Sequence, residues 1–291
     1  MATYNRGNVL PYSIGSVLDQ TFRDFELLVV GDGCTDESQS VVESFNDPRI
    51  RWFNLAQNSG HQSAPNNRGI SESRGELIAY LGHDDLWLPH HLEVCCRAIE
   101  EGADLAYGIT LLAGEKPGCD YLGPPPYWPG SWIPPSSVVH RRSIVQDVGE
   151  WKHYLEVPRA GPDRDFWRRI HEAGFHFSFV PRLSVVKIAA VKRQGVYIAR
   201  STHEQEHWQR RMRTESSFEV TALANCYFYL RDNPVFWGMR SYGTIARSFV
   251  FETLRRTRAA LSRVRWQSEN VIERNRRFKG LSAKPETTDK R

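Results

Sequence analysis

The sequence predicts an α/β fold with a mostly parallel sheet flanked by helices. Short apolar runs rich in β-formers alternate with amphipathic segments over the first 112 residues. Several of those runs end abruptly in glycine and aspartate, as strands feeding ligand loops do. Beyond residue 192 the pattern becomes helical with few turn residues. In chain order, a helical pattern covers residues 11–20, and the run FELLVV over 25–30 ends at Gly-Asp-Gly. A helix follows over 37–45, and the run RIRWFNL forms a second strand over 49–55. A helix over 62–73 leads to the strand ELIAYL at 76–81, which ends at Gly-His-Asp-Asp. The next helix begins near Pro89, because proline is well tolerated in a first helical turn. A fourth strand spans 105–112.

The stretch 115–135 is dense in proline and glycine and carries Tyr121, Tyr127, Trp128 and Trp132. It reads either as a functional loop or as a packed loop whose rings cover the core. Residues 251–291 hold 12 Lys or Arg against 5 Asp or Glu, so the overall charge of +4 is mostly a property of the tail. The last residues, SAKPETTDKR, have a disordered composition. The expected division is therefore a domain over 1–191, a basic helical extension over 192–278 and a disordered tail over 279–291.

Composition excludes several classes. The chain of 291 residues is 40% hydrophobic and 25% charged, ordinary for a globular protein. Cys34, Cys95, Cys96, Cys119 and Cys226 are odd in number and lack CxxC spacing, so small buried thiols in a reducing compartment are expected. No basic-then-apolar leader opens the sequence. The most apolar window, 235–250, contains Arg240 and Arg247, which argues against a membrane span. Together these point to a cytoplasmic location. The basic helices are expected to serve association with the inner membrane face or self-assembly. No nucleic-acid motif is present.

Three strand or helix ends carry candidate chemistry. Asp32 lies at the exit of VVGDGCTD, while Asp36 is explained by helix capping. In YLGHDDLW, Asp84 and Asp85 are adjacent at the exit of an apolar strand. Their repulsion is relieved by a hard divalent cation bridging to phosphates. In PDRDFWRRIHEAG, Asp163 and Asp165 open an amphipathic helix. One of them is a cap and the other a candidate general base.

The ordered blocks TYNR, SVLDQTFRDFELLVVGDGCTD, NSGHQSAPNNRGISESRGELIAYLGHDD and PDRDFWRRIHEAG resemble family 2 glycosyltransferases of the GT-A, Rossmann-like fold. The resemblance covers residues 2 to 190. It implies inverting transfer, hexosyltransferase-like, from a nucleoside-diphosphate sugar to an acceptor hydroxyl, in the setting of cell-envelope polysaccharide synthesis. Manganese or magnesium is the implied cofactor, held by a DXD-like motif. By the same resemblance, Thr3 and Tyr4 lie against the base and Asp32 accepts a hydrogen bond from it. His61 is near the base or phosphates, Asp84 faces the ribose, Asp85 holds the metal and Asp163 is the catalytic base. Trp132 and His140 fall on the acceptor and sugar side, with a core position the open alternative for His140. The chain departs from the pattern at Gly31, His83 and Pro162, where acids are frequent. The family's usual first strand is missing before TYNR, so about eight residues rich in β-branched types are expected upstream of Met1. A catalytically impaired nucleotide-sugar-binding module of the same fold is the alternative reading.

Overall fold

The computed structural model describes residues 1–114, 121–122, 127, 132–157, 161–188, 193–232 and 271–281. A first sheet consists of β1 (Ala2–Thr3), β2 (Leu27–Gly31) and β3 (Ile50–Asn54), all parallel. A second holds β4 (Leu77–Ala79), β5 (Leu86–Trp87), β6 (Leu105–Leu112), β7 (Tyr121–Leu122), β8 (Val138–Arg141) and β9 (Phe177–Lys187). Its order is β4-β8-β6-β9-β5, with β7 on β6. Only β6 and β9 run parallel there, with register shifts between Gly108 and Thr110. The remaining pairs are antiparallel. A parallel bridge between Ala2 and Gly82 joins the sheets, so the short β1 lies between β2 and the exit of β4.

The expected helices are present as α1 (Leu10–Leu18), α2 (Ser38–Glu43), α3 (Ser63–Glu72) and α4 (His91–Glu100). Pro11 sits in the first turn of α1, where its missing N–H is not needed. The buried faces of α1 and α4 meet β2 through Leu10, Ile14, Val29, Leu92 and Ile99. A second cluster gathers Tyr80, Trp151, Phe166 and Trp167 between α5 (Ile144–Val148), α6 (Pro162–Glu172) and the sheet. Cys95, Cys96 and Cys226 are buried and Cys34 is half-buried, whereas Cys119 lies outside the described residues.

Described helices of the extension pack on the sheet. α7 (Val196–Ala199), α8 (His203–Thr214) and α9 (Phe218–Asp232) follow β9. Trp208 of α8 and Phe218 and Ala222 of α9 share a core with Leu86, Leu111, Leu183 and Val186. Each large side chain buried there contributes about 1.5–3 kcal/mol. The exposed Arg213–Asp19 pair adds at most about 1 kcal/mol, so packing fixes the extension. The last described helix is α10 (Val271–Phe278). Among the described residues no helix is long and apolar enough to cross a membrane. The window 235–250 and the tail 282–291 lie outside the described residues.

Candidate functional site

The exits of β1, β2 and β4 open on one edge because the three segments run parallel side by side. Thr3 is 2% exposed, and its hydroxyl has no hydrogen-bond partner. Its carbonyl accepts the N–H of Asp32 at 2.8 Å. Tyr4 follows it, half-buried. Asp32 itself is 4% exposed. Its carboxylate accepts bonds from Ser59 N at 2.8 Å, Gly60 N at 3.2 Å and Asn58 Nδ2 at 3.1 Å. A carboxylate has about four acceptor positions, so one remains for a ligand. Burial raises the Asp32 pKa, against those bonds and the Arg276 guanidinium. The turn after it needs Gly33 at φ +70°, since a Cβ would lie 2.5 Å from Asn58 N. Asp36 accepts bonds from Ser38 N and Gly7 N, a structural role at the entrance to α2.

Asp84 and Asp85 have different surroundings. Asp85 is fully buried, and both of its oxygens are used. Lys187 Nζ donates to Oδ2 at 2.7 Å, Ser136 Oγ donates to the same oxygen, and Ile188 N donates to Oδ1 at 3.0 Å. Burial disfavours the charged form of Lys187, but the Asp85 and Asp84 carboxylates outweigh it and raise its pKa. An ammonium therefore stands against Asp85, the carboxylate expected to hold the metal. Asp84 instead lines a cavity of about 190 Å³ with Arg6, Ile188, Val196 and Gln205.

Asp163 lies in the first turn of α6. Trp132 Nε1 donates to its Oδ2 at 2.7 Å and Arg164 N donates to Oδ1 at 2.9 Å. Burial raises its pKa above the ordinary carboxylate value, against those two bonds. Asp165 differs. Burial opposes its ionisation, but bonds from Arg169 and Arg168 prevail and its pKa is lowered. Asp163 lacks the guanidinium partners that hold Asp165, and Trp132 lies beside it. His61 bonds Ser63 Oγ at 3.1 Å, and burial, with Lys279 nearby, lowers its pKa to about 3.

His140 lies in the core, the alternative left open for it. It is fully buried in β8, and its Nδ1–H donates to the Arg141 carbonyl at 2.8 Å. Nε2 accepts from Tyr80 OH at 2.8 Å, and that oxygen accepts from Trp151 Nε1 at 3.1 Å. Burial lowers its pKa to about 4.

Several residues of the site carry no sequence signal. Lys187, at the end of β9, feels the charges of Asp85, Asp84 and Asp163 together. Arg6 is 1% exposed, donates to the Val196 carbonyl at 2.8 Å and lies over the Tyr197 ring. Arg276 of α10 is 6% exposed and donates to Gly60 O at 2.6 Å and Asn58 Oδ1 at 3.2 Å. Gly31, where an acid is frequent, is hemmed in: a Cβ there would lie 2.5 Å from Asn54 Oδ1 and 2.7 Å from Trp52. Asn54 cannot turn away freely, because its amide bonds Cys34 N at 2.8 Å and Cys34 O at 2.9 Å. Among the described residues no group of three or more His, Cys, Asp or Glu is placed to hold a metal ion. Magnesium and manganese, however, are commonly held by one or two carboxylates plus substrate phosphates, which Asp84 fits.

Residues 1–132 match the profile of glycosyl transferase family 2. The chain is 31% identical over 118 residues to the GalNAc(5)-diNAcBac-PP-undecaprenol beta-1,3-glucosyltransferase of Campylobacter jejuni, which covers 39% of this chain and 37% of that one. It spans about half or less of the length of the curated relatives it matches. Among solved structures it resembles S. aureus TarS 1-349 in complex with UDP-GlcNAc, with TM-score 0.56 and 17% identity over 82% of this chain and 73% of that one. It also resembles the mannosyltransferase PcManGT from Pyrobaculum calidifontis in complex with GDP-Man and Mn2+, with TM-score 0.53 and 13% identity over 96% of this chain and 81% of that one. The mixed α/β core is thus the GT-A fold, and residues 1–132 of it match the model of glycosyl transferase family 2.

Proposed function

We propose that this protein transfers a sugar, with inversion, from a nucleoside-diphosphate sugar to an acceptor hydroxyl. The observation that carries this reading is the set of cations beside Asp32, Asp84 and Asp163, of which Arg276 is buried and Lys187 and Lys279 are half-buried. Arg276 lies by Asp32, Lys279 by Asp84, and Lys187 between Asp84 and Asp163. The unpartnered guanidinium N–H groups of Arg6 and Arg276 are donors that a diphosphate would accept from. The base of the donor rests against Thr3 and Tyr4 and takes the free acceptor position of Asp32, with His61 alongside. Asp163 is the general base: held by Trp132 Nε1 and raised in pKa by burial, it takes the proton of the hydroxyl attacking the anomeric carbon. A magnesium or manganese ion held by Asp84 and the donor phosphates would supply charge neutralisation for the departing diphosphate. Solved structures of this fold with UDP-GlcNAc, and with GDP-Man and Mn2+, support a nucleotide-sugar donor.

Asp84→Ala is the decisive variant. It should abolish the manganese-dependent rise in melting temperature on adding UDP or GDP, since only ligands of the native state raise it. A manganese-dependent shift surviving in Asp84→Ala would overturn the assignment of the ion. Asp85→Ala is a poor probe of the metal. It strands the buried Lys187 ammonium, a loss of about 3–5 kcal/mol in folding stability.

A further inference from the structure

The cation set has an unexpected member. Lys279 stands on the turn that follows α10, more than 90 residues beyond the last of the sequence-identified site residues. The segment is seated by backbone as well as side chains. Gly195 N donates to Phe278 O at 3.0 Å and Tyr197 N to Lys279 O at 3.4 Å. Arg276 clamps the loop that Asp32 organises, through Gly60 O and Asn58 Oδ1. Lys279 is half-buried, with the Asp84 carboxylate favouring its charge and Lys187 and Arg276 opposing it. Like charges held together are unfavourable until an anion joins them.

A second, independent observation points to a ligand at the same place. Around this cleft Thr3 Oγ1, Arg6 Nε, His83 Nδ1 and Arg276 Nε are buried without a hydrogen-bond partner. Buried polar atoms are normally paired, and each orphan costs stability. Two of the four are N–H groups of guanidinium ions, which can only donate, so an anionic acceptor is the partner they lack.

We infer that residues 271–281 form a strap of the donor site, in which Lys279 binds the diphosphate of the nucleotide sugar and Arg276 fastens the strap to the loop 58–60. This rests on the nucleotide-sugar reading above and sharpens it. The extension is then part of donor binding, contrary to the sequence expectation that residues beyond 192 serve only association.

The test compares UDP with uridine, and GDP with guanosine, by calorimetry on the full chain with manganese present. Lys279→Met keeps the length of the side chain and removes its charge. It should weaken the nucleoside diphosphate about tenfold or more and leave the nucleoside unchanged, because only the phosphates meet the ammonium. Lys279→Arg should recover most of the loss. Equal diphosphate affinity in Lys279→Met and the natural chain would overturn the strap and leave the donor reading intact. An equal loss for nucleoside and diphosphate would also overturn it, since that marks a general defect of the cleft. Failure of the natural chain to bind either diphosphate would overturn the donor reading itself, and the strap with it.

Discussion

Two buried polar neighbourhoods lie a few residues apart in sequence and differ in one respect. In the core between α6 and β8, every polar atom of the chain Trp151–Tyr80–His140–Arg141 has a partner. At the strand exits, Thr3, Arg6, His83 and Arg276 each hold a buried atom without one. A closed network specifies and rigidifies a core, whereas an open one is a cost that the fold alone does not recover. Histidine therefore has opposite meanings at His140 and His83. The first is structural because nothing is left over; the second borders the cleft, and its Nδ1 still lacks a partner.

The strongest way to sharpen the contrast is at the reacting end of the cleft. Asp163→Asn preserves the Trp132 contact but cannot take a proton. Transfer should fall by about 100- to 10,000-fold, with affinity for the nucleoside diphosphate retained. Turnover and calorimetry on the same preparation check both halves.

The closed network is broken by acid. The His140 pKa is depressed from its ordinary 6.5 to about 4 in the folded chain. The unfolded chain takes up a proton that the folded chain refuses. Its contribution is thus complete above pH 6.5 and is lost as pH falls toward 4. Between pH 7 and pH 5 this one group should remove about 2 kcal/mol of stability. Urea midpoints at the two pH values should converge by about that amount in His140→Gln relative to the natural chain. An unchanged difference would mean that His140 does not titrate with unfolding.

The smallest effects are the most discriminating. Tyr80→Phe should cost about 1–3 kcal/mol, because it orphans His140 Nε2 and Trp151 Nε1 together. Thr3→Val should cost under about 0.5 kcal/mol, because its hydroxyl has no partner to lose. Denaturant melts of the two variants test the distinction directly: equal losses would erase it.

The first four helices and the strands that become β2, β3, β4 and β6 were legible, since period and punctuation suffice for them. β9 was not. It contains Pro181 and Arg182 in an exposed stretch, and only its last third reads as a buried strand. Missing β9 hid Lys187, and without Lys187 nothing in Gly-His-Asp-Asp distinguishes Asp84 from Asp85. Both stand at the same strand exit, and the choice is made by where a strand about 100 residues later delivers an ammonium. Asp163 and Trp132 were nominated separately, but their hydrogen bond is tertiary information. Arg276 reads as a surface charge of a basic helix and Lys279 falls in the expected disordered tail, because a cation placed by distant loops leaves no periodic trace.

The crowding at Gly31 bears on how this sequence can change over generations. An aspartate is frequent at that position in the family, and a single substitution could restore it on paper. Here its Cβ alone would drive into Trp52 and into an Asn54 that the Cys34 backbone holds on both sides. Reversion is thus conditional on Trp52 first giving way to a smaller residue, a step that by itself opens a void against β2. The order of the two mutations matters, and both orders pass through a weakened intermediate. The glycine at position 31 is thus held in place by Trp52 and Asn54, whatever an aspartate there would do.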